Sequence, residues 1–253
     1  MSRNFELLDQ LRRTQEILQT DSEPLSATVL PAEAFTAAVP ALEINEETRE
    51  EIGKLVQRLF LLPGREAAHH VVFTGTESGG GCSWICARVG EILASQVTSS
   101  VCIVDCSLRA PSMHEQFKVD NQYGLTDALI GDAPIRQYAQ QLSRPNLWLV
   151  SSGAENNNSQ ELLTSGRMRM RIAELRAEFN YVLMDVAPFN VCNHAMVFGG
   201  QSDGLVLVLK ANSTRRDATR EITQQLQAAN VRMLGAVLNQ RTFPIPEKIY
   251  NKL

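Results

Sequence analysis

No stretch of this 253-residue chain approaches the roughly 18 consecutive apolar residues needed to cross a bilayer. The opening residues, MSRNFELLDQLRRTQEILQ, are polar where a secretory leader carries its apolar stretch. A cytoplasmic protein is therefore expected. Positive charge is not in excess: 24 Lys plus Arg stand against 28 Asp plus Glu, for a formal charge of -4. That balance leaves no electrostatic footprint for nucleic acid. Cysteine is scarce and unpaired in pattern. Cys82, Cys86, Cys102, Cys106 and Cys192 are odd in number, and no two have CxxC spacing. A disulfide framework and a zinc site are both disfavoured, and reduced, buried thiols are expected. The histidines, at 69, 70, 114 and 194, show no metal-ligand spacing. Internal repeats are absent.

An apolar fraction of 44% is enough for a full core. Residues 3–19 have helical periodicity, with Phe5, Leu8, Leu11 and Leu18 among charges. Residues 20–44 contain Pro24, Pro31 and Pro40 and little periodicity, and read as a linker. A second amphipathic helix is expected at 46–61, with Ile52, Leu55, Val56 and Leu59 as its apolar stripe. From residue 70 onward, short apolar runs alternate with helical patterns. Strands are expected at 70–75, 101–107, 147–153, 181–187, 204–210 and 232–239. Helices are expected at 82–96, 124–131, 134–142, 159–178 and 214–229. Continuous Val/Ile/Leu strands separated by helices indicate an α/β fold, a doubly wound and mostly parallel sheet. The organisation is then an N-terminal helix (1–19), a linker (20–44) and one domain (45–253).

The turn after the first strand reads Gly75-Thr-Glu-Ser-Gly79-Gly80-Gly81-Cys82-Ser83. Three glycines at a strand-to-helix turn let the backbone wrap a guest, and the helix N-terminus offers free amides to an anion. A phosphate is the obvious guest. The full P-loop pattern, GxxxxGK followed by Ser or Thr, places a lysine on the β- and γ-phosphates and a hydroxyl on magnesium. Gly81 and Ser83 fit it, but Cys82 stands at the lysine position. The alternative is a glycine-rich turn with no ligand. Two further strands end in aspartate, Asp105 and Asp185. In a parallel sheet all three features meet at the C-terminal strand edge, the ligand crevice. Two carboxylates beside a phosphate cradle make a hard oxygen site for Mg²⁺. Either aspartate alone reads equally well as a cap or a solvated strand end. For Cys82 two readings stand. A thiol at a helix N-terminus can be acidified and reactive. The plainer reading is a small neutral filler.

From about residue 46 to 250 these segments resemble the bacterial tyrosine kinase (BY-kinase) family, the cytoplasmic ATPase domain of capsule and exopolysaccharide synthesis. Asp105-Cys-Ser-Leu-Arg109-Ala-Pro-Ser-Met-His114 resembles its second Walker motif, typically DxDLRRPxxH. The segments 124–131 and 159–168, the Walker B strand Tyr181-Val-Leu-Met-Asp185, Ser213-Thr-Arg-Arg-Asp217 and Leu234-Gly-Ala-Val-Leu-Asn239 are similar as well. The resemblance implies a P-loop NTPase fold related to the ParA/MinD ATPases. It implies ATP or ADP with Mg²⁺ as cofactors. Asp105, Asp185 and Arg109 become the catalytic set. Gly79, Gly80, Gly81, Cys82, Ser83, Trp84 and Asn239 become the nucleotide-binding set, with Asn239 on the adenine. Ser83, Asp105 and Asp185 become the metal set.

Departures from the family matter as much. Cys82 replaces the phosphate lysine, and Ser107 replaces the second aspartate of the second motif. Each loss removes transition-state stabilisation, on the order of 10²–10³ in rate. The tail has one tyrosine, Tyr250, where the family carries a cluster. The family's ring-forming E-x-x-R-x-x-R helix reads Glu51-x-x-Lys54-x-x-Gln57. Lys lacks the fork of Arg, and Gln lacks its charge.

The expectation is a catalytically weakened homologue acting as a regulatory or interaction module. Its partner would be a membrane polysaccharide co-polymerase of the chain-length-regulator type, or a sibling kinase. It would sit in the cytoplasm, peripheral to the inner membrane through that partner, with self-association also open. An active tyrosine autokinase is the alternative. A ParA-like positioning ATPase fits less well, because its signature lysine would fall at Glu77 and the composition offers no basic DNA-binding surface.

Overall fold

The computed structural model describes residues 41–62, 67–154 and 159–241. The helix expected at 3–19, nearly all of the linker and Tyr250 lie outside the described residues. Seven strands form one sheet: β1 (His70–Gly75), β2 (Val101–Asp105), β3 (Gln140–Gln141), β4 (Leu147–Val150), β5 (Tyr181–Asp185), β6 (Gly204–Lys210) and β7 (Met233–Asn239). Their order is β3-β4-β2-β5-β1-β6-β7. Every pair is parallel except β3 with β4.

The central strands β1 and β2 are buried end to end, and β5 from Val182 onward, because both of their faces are covered. Side chains alternate between faces. Val71 and Phe73 of β1, Val101 and Ile103 of β2, and Leu183 of β5 join the core beneath two helices. These are α1 (Glu46–Val56) and α2 (Cys82–Gln96). The alternate residues, Val72, Val104 and Met184, are buried on the other face. There α6 (Gly166–Glu178) meets β5, and α7 (His194–Gly199) meets β1 and β6.

Asn45 starts α1: its side-chain oxygen accepts the amide of Thr48 at 2.9 Å. Ile52 and Val56 are buried, and the helix runs on into a π turn, Gln57–Leu61, that buries Phe60. Leu42 and Ile44 already pack against the core before α1 begins.

Four expectations need correction. Residues 134–142 are not a helix. A 3₁₀ turn (Ile135–Tyr138) leads into β3, whose Gln140 and Gln141 pair with the β4 edge. The sheet edge outcompetes the local helical pattern there. The helix expected at 159–178 is two, α5 (Ser159–Thr164) and α6, because Ser165 caps the second by accepting from Met168 N at 3.3 Å. The strands expected to reach 107, 153 and 187 end at Asp105, Val150 and Asp185, where the chain turns to build the crevice. Three short elements went unforeseen, α3 (Met113–Phe117), α7 and β3. The remaining helices, α4 (Leu125–Ile130) and α8 (Arg216–Ala228), fall inside their expected ranges.

Helix α2 carries the cradle at its start, so its seat on the sheet sets the position of the site. Gly90 sets that seat. A Cβ added there would lie 2.5 Å from Ile103 Cδ1, closer than packing allows. Gly90→Val should therefore cost about 2 kcal/mol of stability through overpacking. Chemical denaturation measures it, and an unchanged midpoint would show that α2 does not need this close approach.

Candidate functional site

The glycine loop runs from the end of β1 to the start of α2. Gly79 and Gly81 hold φ of +77° and +79°, which L side chains rarely adopt. Gly81 is also crowded: a Cβ there would lie 2.4 Å from Asn239 Nδ2. The loop is held from two sides. On one, Ser213 Oγ and Thr214 Oγ1 donate to Glu77 Oε1 at 3.0 and 3.1 Å. On the other, Asn239 Nδ2 donates to Gly80 O at 3.0 Å, and Gln240 Nε2 to Gly79 O at 3.1 Å. Among the described residues, none accepts a hydrogen bond from the amides of residues 77–84. An anion would satisfy them.

Asp105 and Asp185 end adjacent strands in direct register. Their side chains have different surroundings. Asp105 folds the following loop over itself: Oδ1 accepts Ser107 N at 3.0 Å, and Oδ2 accepts Ser112 N at 3.1 Å and Met113 N at 3.0 Å. Asp185 is fully enclosed, and neither of its oxygens has a hydrogen-bond partner. No ion pair among the described residues reaches Glu77, Asp105 or Asp185.

Burial raises both carboxyls above the ordinary carboxylate range. For Asp185 the next cause is the charge of Asp105, the side chains of Ser83 and Cys82 oppose the rise, and the result is about 7. For Asp105 the rise is opposed by the amides of Met113, Ser107 and Ser112 and by the charge of His114. The two titrate as a pair.

The same surroundings settle Cys82. Burial and the nearby Asp185 push its thiol well up. This direction runs against the acidified-thiol reading and favours the small neutral filler. Cys86 and Cys106 are raised likewise, by burial first and then by the two aspartates.

The structure therefore brings Gly79, Gly80, Gly81, Cys82, Ser83, Asp105, Asp185 and Asn239 together at one strand edge. Asn239 is engaged with the loop carbonyl. Trp84 lies apart from the aspartates. It lines a groove between α1 and β7, with the Arg88 guanidinium 4.4 Å from its ring centre. Arg109 is exposed on the loop after β2, close enough that its charge, after burial, lowers the His194 pKa. The clamp residues Glu77, Ser213, Thr214 and Gln240 were missed as a functional set. Their only sequence signal was position, Glu77 where a related branch has lysine and Ser213–Thr214 within a matching segment.

The residues fit a divalent cation. Asp185 offers two unpartnered, buried oxygens, and the Ser83 hydroxyl is next to it.

No family model matches the chain. Known proteins do. Tyrosine-protein kinase YwqD of Bacillus subtilis (strain 168) is 29% identical over 169 residues, covering 67% of this chain and 71% of YwqD. Tyrosine-protein kinase ptk of Acinetobacter johnsonii is 27% identical over 170 residues; the chain spans only 23% of its length. The kinase domain of Escherichia coli tyrosine kinase ETK superposes with a TM-score of 0.72 at 21% identity, over 83% of this chain and 85% of that one. Its fold is thus the one found in bacterial tyrosine kinases, and its curated relatives are such kinases.

A pH dependence follows from Asp185. Its folded pKa, about 7, lies above the unfolded carboxylate value. Its contribution to stability is therefore fully present below about pH 4 and lost as pH rises through 7. Asp185→Asn should be more stable than the parent at pH 8, by about 2–4 kcal/mol, with the gap closing towards pH 4. Urea denaturation at both pH values checks this. A gap that widens on acidification would contradict it.

Proposed function

We propose that this homologue of the bacterial tyrosine kinases is a catalytically weakened member that acts as a regulatory or interaction module in exopolysaccharide or capsule assembly. The observation that carries the reading is the Asp185 carboxylate. It is buried beside a cradle in which a neutral thiol, Cys82, stands where the kinases place a cation.

Phosphoryl transfer depends on positioning and on neutralising phosphate charge. The positioning parts are present. Glu77, Asn239 and Gln240 hold the glycine loop in shape, and the amides of residues 77–84 are free to take up phosphate oxygens. The neutralising parts are depleted. Cys82 supplies no charge, and Ser107 supplies only its amide, to Asp105. Asp185 and Ser83 would hold a magnesium ion, and its positive charge would offset part of that loss. Asp105 is occupied by three amides and acts on the site chiefly through its charge. Arg109, exposed on the loop after β2, is a candidate cation for a bound phosphate tail.

The partner in this reading is a membrane-embedded co-polymerase or an active sibling kinase, with the chain on the cytoplasmic side. No helix among the described residues is long and apolar enough to cross the membrane itself.

The test is calorimetric titration of the purified chain with Mg-ADP and Mg-ATP, beside Cys82→Lys. The native chain should bind in the millimolar range or not at all, and Cys82→Lys at least about tenfold tighter, since a charge-assisted contact is worth over a kilocalorie. Micromolar binding by the native chain, together with transfer of labelled phosphate to Tyr250, would sink this reading and establish an active autokinase.

A further inference from the structure

The loop between β5 and α7 carries a thiol that the site described above does not use. Val191 N and Cys192 N both donate to Pro188 O, at 2.9 and 3.2 Å, and so turn the chain just before α7. On the same turn Phe189 N donates to Gly75 O at 3.0 Å, and Asn190 N to Thr76 O at 3.3 Å. The turn is thus tied to the root of the glycine loop. Cys192 Sγ lies 3.4 Å from His194 Nδ1, within hydrogen-bond reach for sulfur. With the ring proton on Nε2, Nδ1 accepts from the thiol.

The five cysteines have unlike surroundings. Cys86, Cys102 and Cys106 are buried, and burial pushes all three thiols up. The Cys82 thiol is pushed up by burial and by Asp185. Cys192 is partly exposed and has an imidazole beside it. Burial first, and then the charge of Arg109, lower the His194 pKa, and no carboxylate is among the causes. The ring is therefore neutral near pH 7 and able to take a proton. Arg109, exposed on the loop after β2, completes a group of thiol, base and guanidinium drawn from two loops. A nucleophile in reach of a base, with a cation nearby, is the arrangement that makes a thiolate available.

We propose that Cys192 is a modification site, a thiol that exchanges with small anionic disulfides, with His194 as its base and Arg109 drawing the reagent in. The Cys192 S–H proton passes to His194 Nδ1, and Sγ attacks one sulfur of the disulfide. The S–S bond of the reagent breaks as a new bond joins Sγ to that sulfur. The other sulfur leaves with the electron pair and takes the proton from His194. The protein thiol is thereby oxidised to a mixed disulfide, and the departing half of the reagent is reduced to a thiol. The preference for an anion follows from Arg109, whose charge raises the local concentration of carboxylate-bearing disulfides. The exchange does not depend on nucleotide.

Two aromatic disulfides test this on the full, reduced chain at neutral pH: bis(carboxynitrophenyl) disulfide, a dianion, and dipyridyl disulfide, which is neutral. Stopped-flow absorbance reads the rates, and peptide mass mapping identifies the thiol. Cys192 should react at least about tenfold faster than any other cysteine of the chain. His194→Gln should slow it at least about fivefold with both reagents, because Gln takes up no proton. Arg109→Gln should slow the dianionic reagent more than the neutral one, a difference that a disturbed fold would not produce. Glutathione disulfide should leave one adduct, on Cys192, that dithiothreitol removes. Fastest labelling at any other cysteine overturns the proposal, and so does a Cys192 rate indifferent to His194→Gln. Equal slowing of both reagents by Arg109→Gln overturns the preference for an anion.

Discussion

Two carboxyls meet at the C-terminal edge of the sheet, in register and out of water, with no ion pair to either among the described residues. Burying like charges side by side is costly unless protons, amides or cations compensate. The structure compensates unequally. Asp105 receives three amides from the loop it folds. Asp185 receives none and holds a proton into the neutral range instead. This inequality divides the roles, one carboxyl shaping the loop after β2 and the other left available to a cation. Burial first, and then Asp185, push the Cys82 thiol up as well.

Around that pair the glycine loop is preformed. Its two strained glycines would sample many shapes on their own. Glu77 and the end of β7 restrict them from opposite sides, through side chains contributed by β-strand ends more than 130 residues away in sequence. A preformed loop with a neutral residue at position 82 is the ground for the proposed binding or scaffolding role, since catalysis of phosphoryl transfer is largely electrostatic.

Much of this was legible in the residues. The strands announced themselves because buried parallel strands must be continuously apolar, as in HVVFTG and GLVLVLK. Helix α2 was legible to the residue, since its first turn follows three glycines. The crevice was legible because parallel topology brings strand ends together wherever they lie in sequence. Illegible were features that depend on a distant partner. β3 exists only because β4 offers an edge. Ser165 breaks a helix that periodicity alone would continue. Between the two readings of Cys82, acidified thiol and neutral filler, the sequence offered only the nearby helix N-terminus and no sight of Asp185. Asn239 was read as a base contact, and only the folded chain shows its amide on Gly80.

The sequence by itself determined the sheet, the order of its elements and the chemical types assembled at its edge, because these follow from apolar patterning and from glycine and aspartate at strand ends. Only the tertiary structure decided which aspartate is satisfied, which thiol is pushed up and what holds the glycine loop. Those outcomes depend on burial and on hydrogen bonds between residues far apart in sequence, and neither has a local signature in the chain.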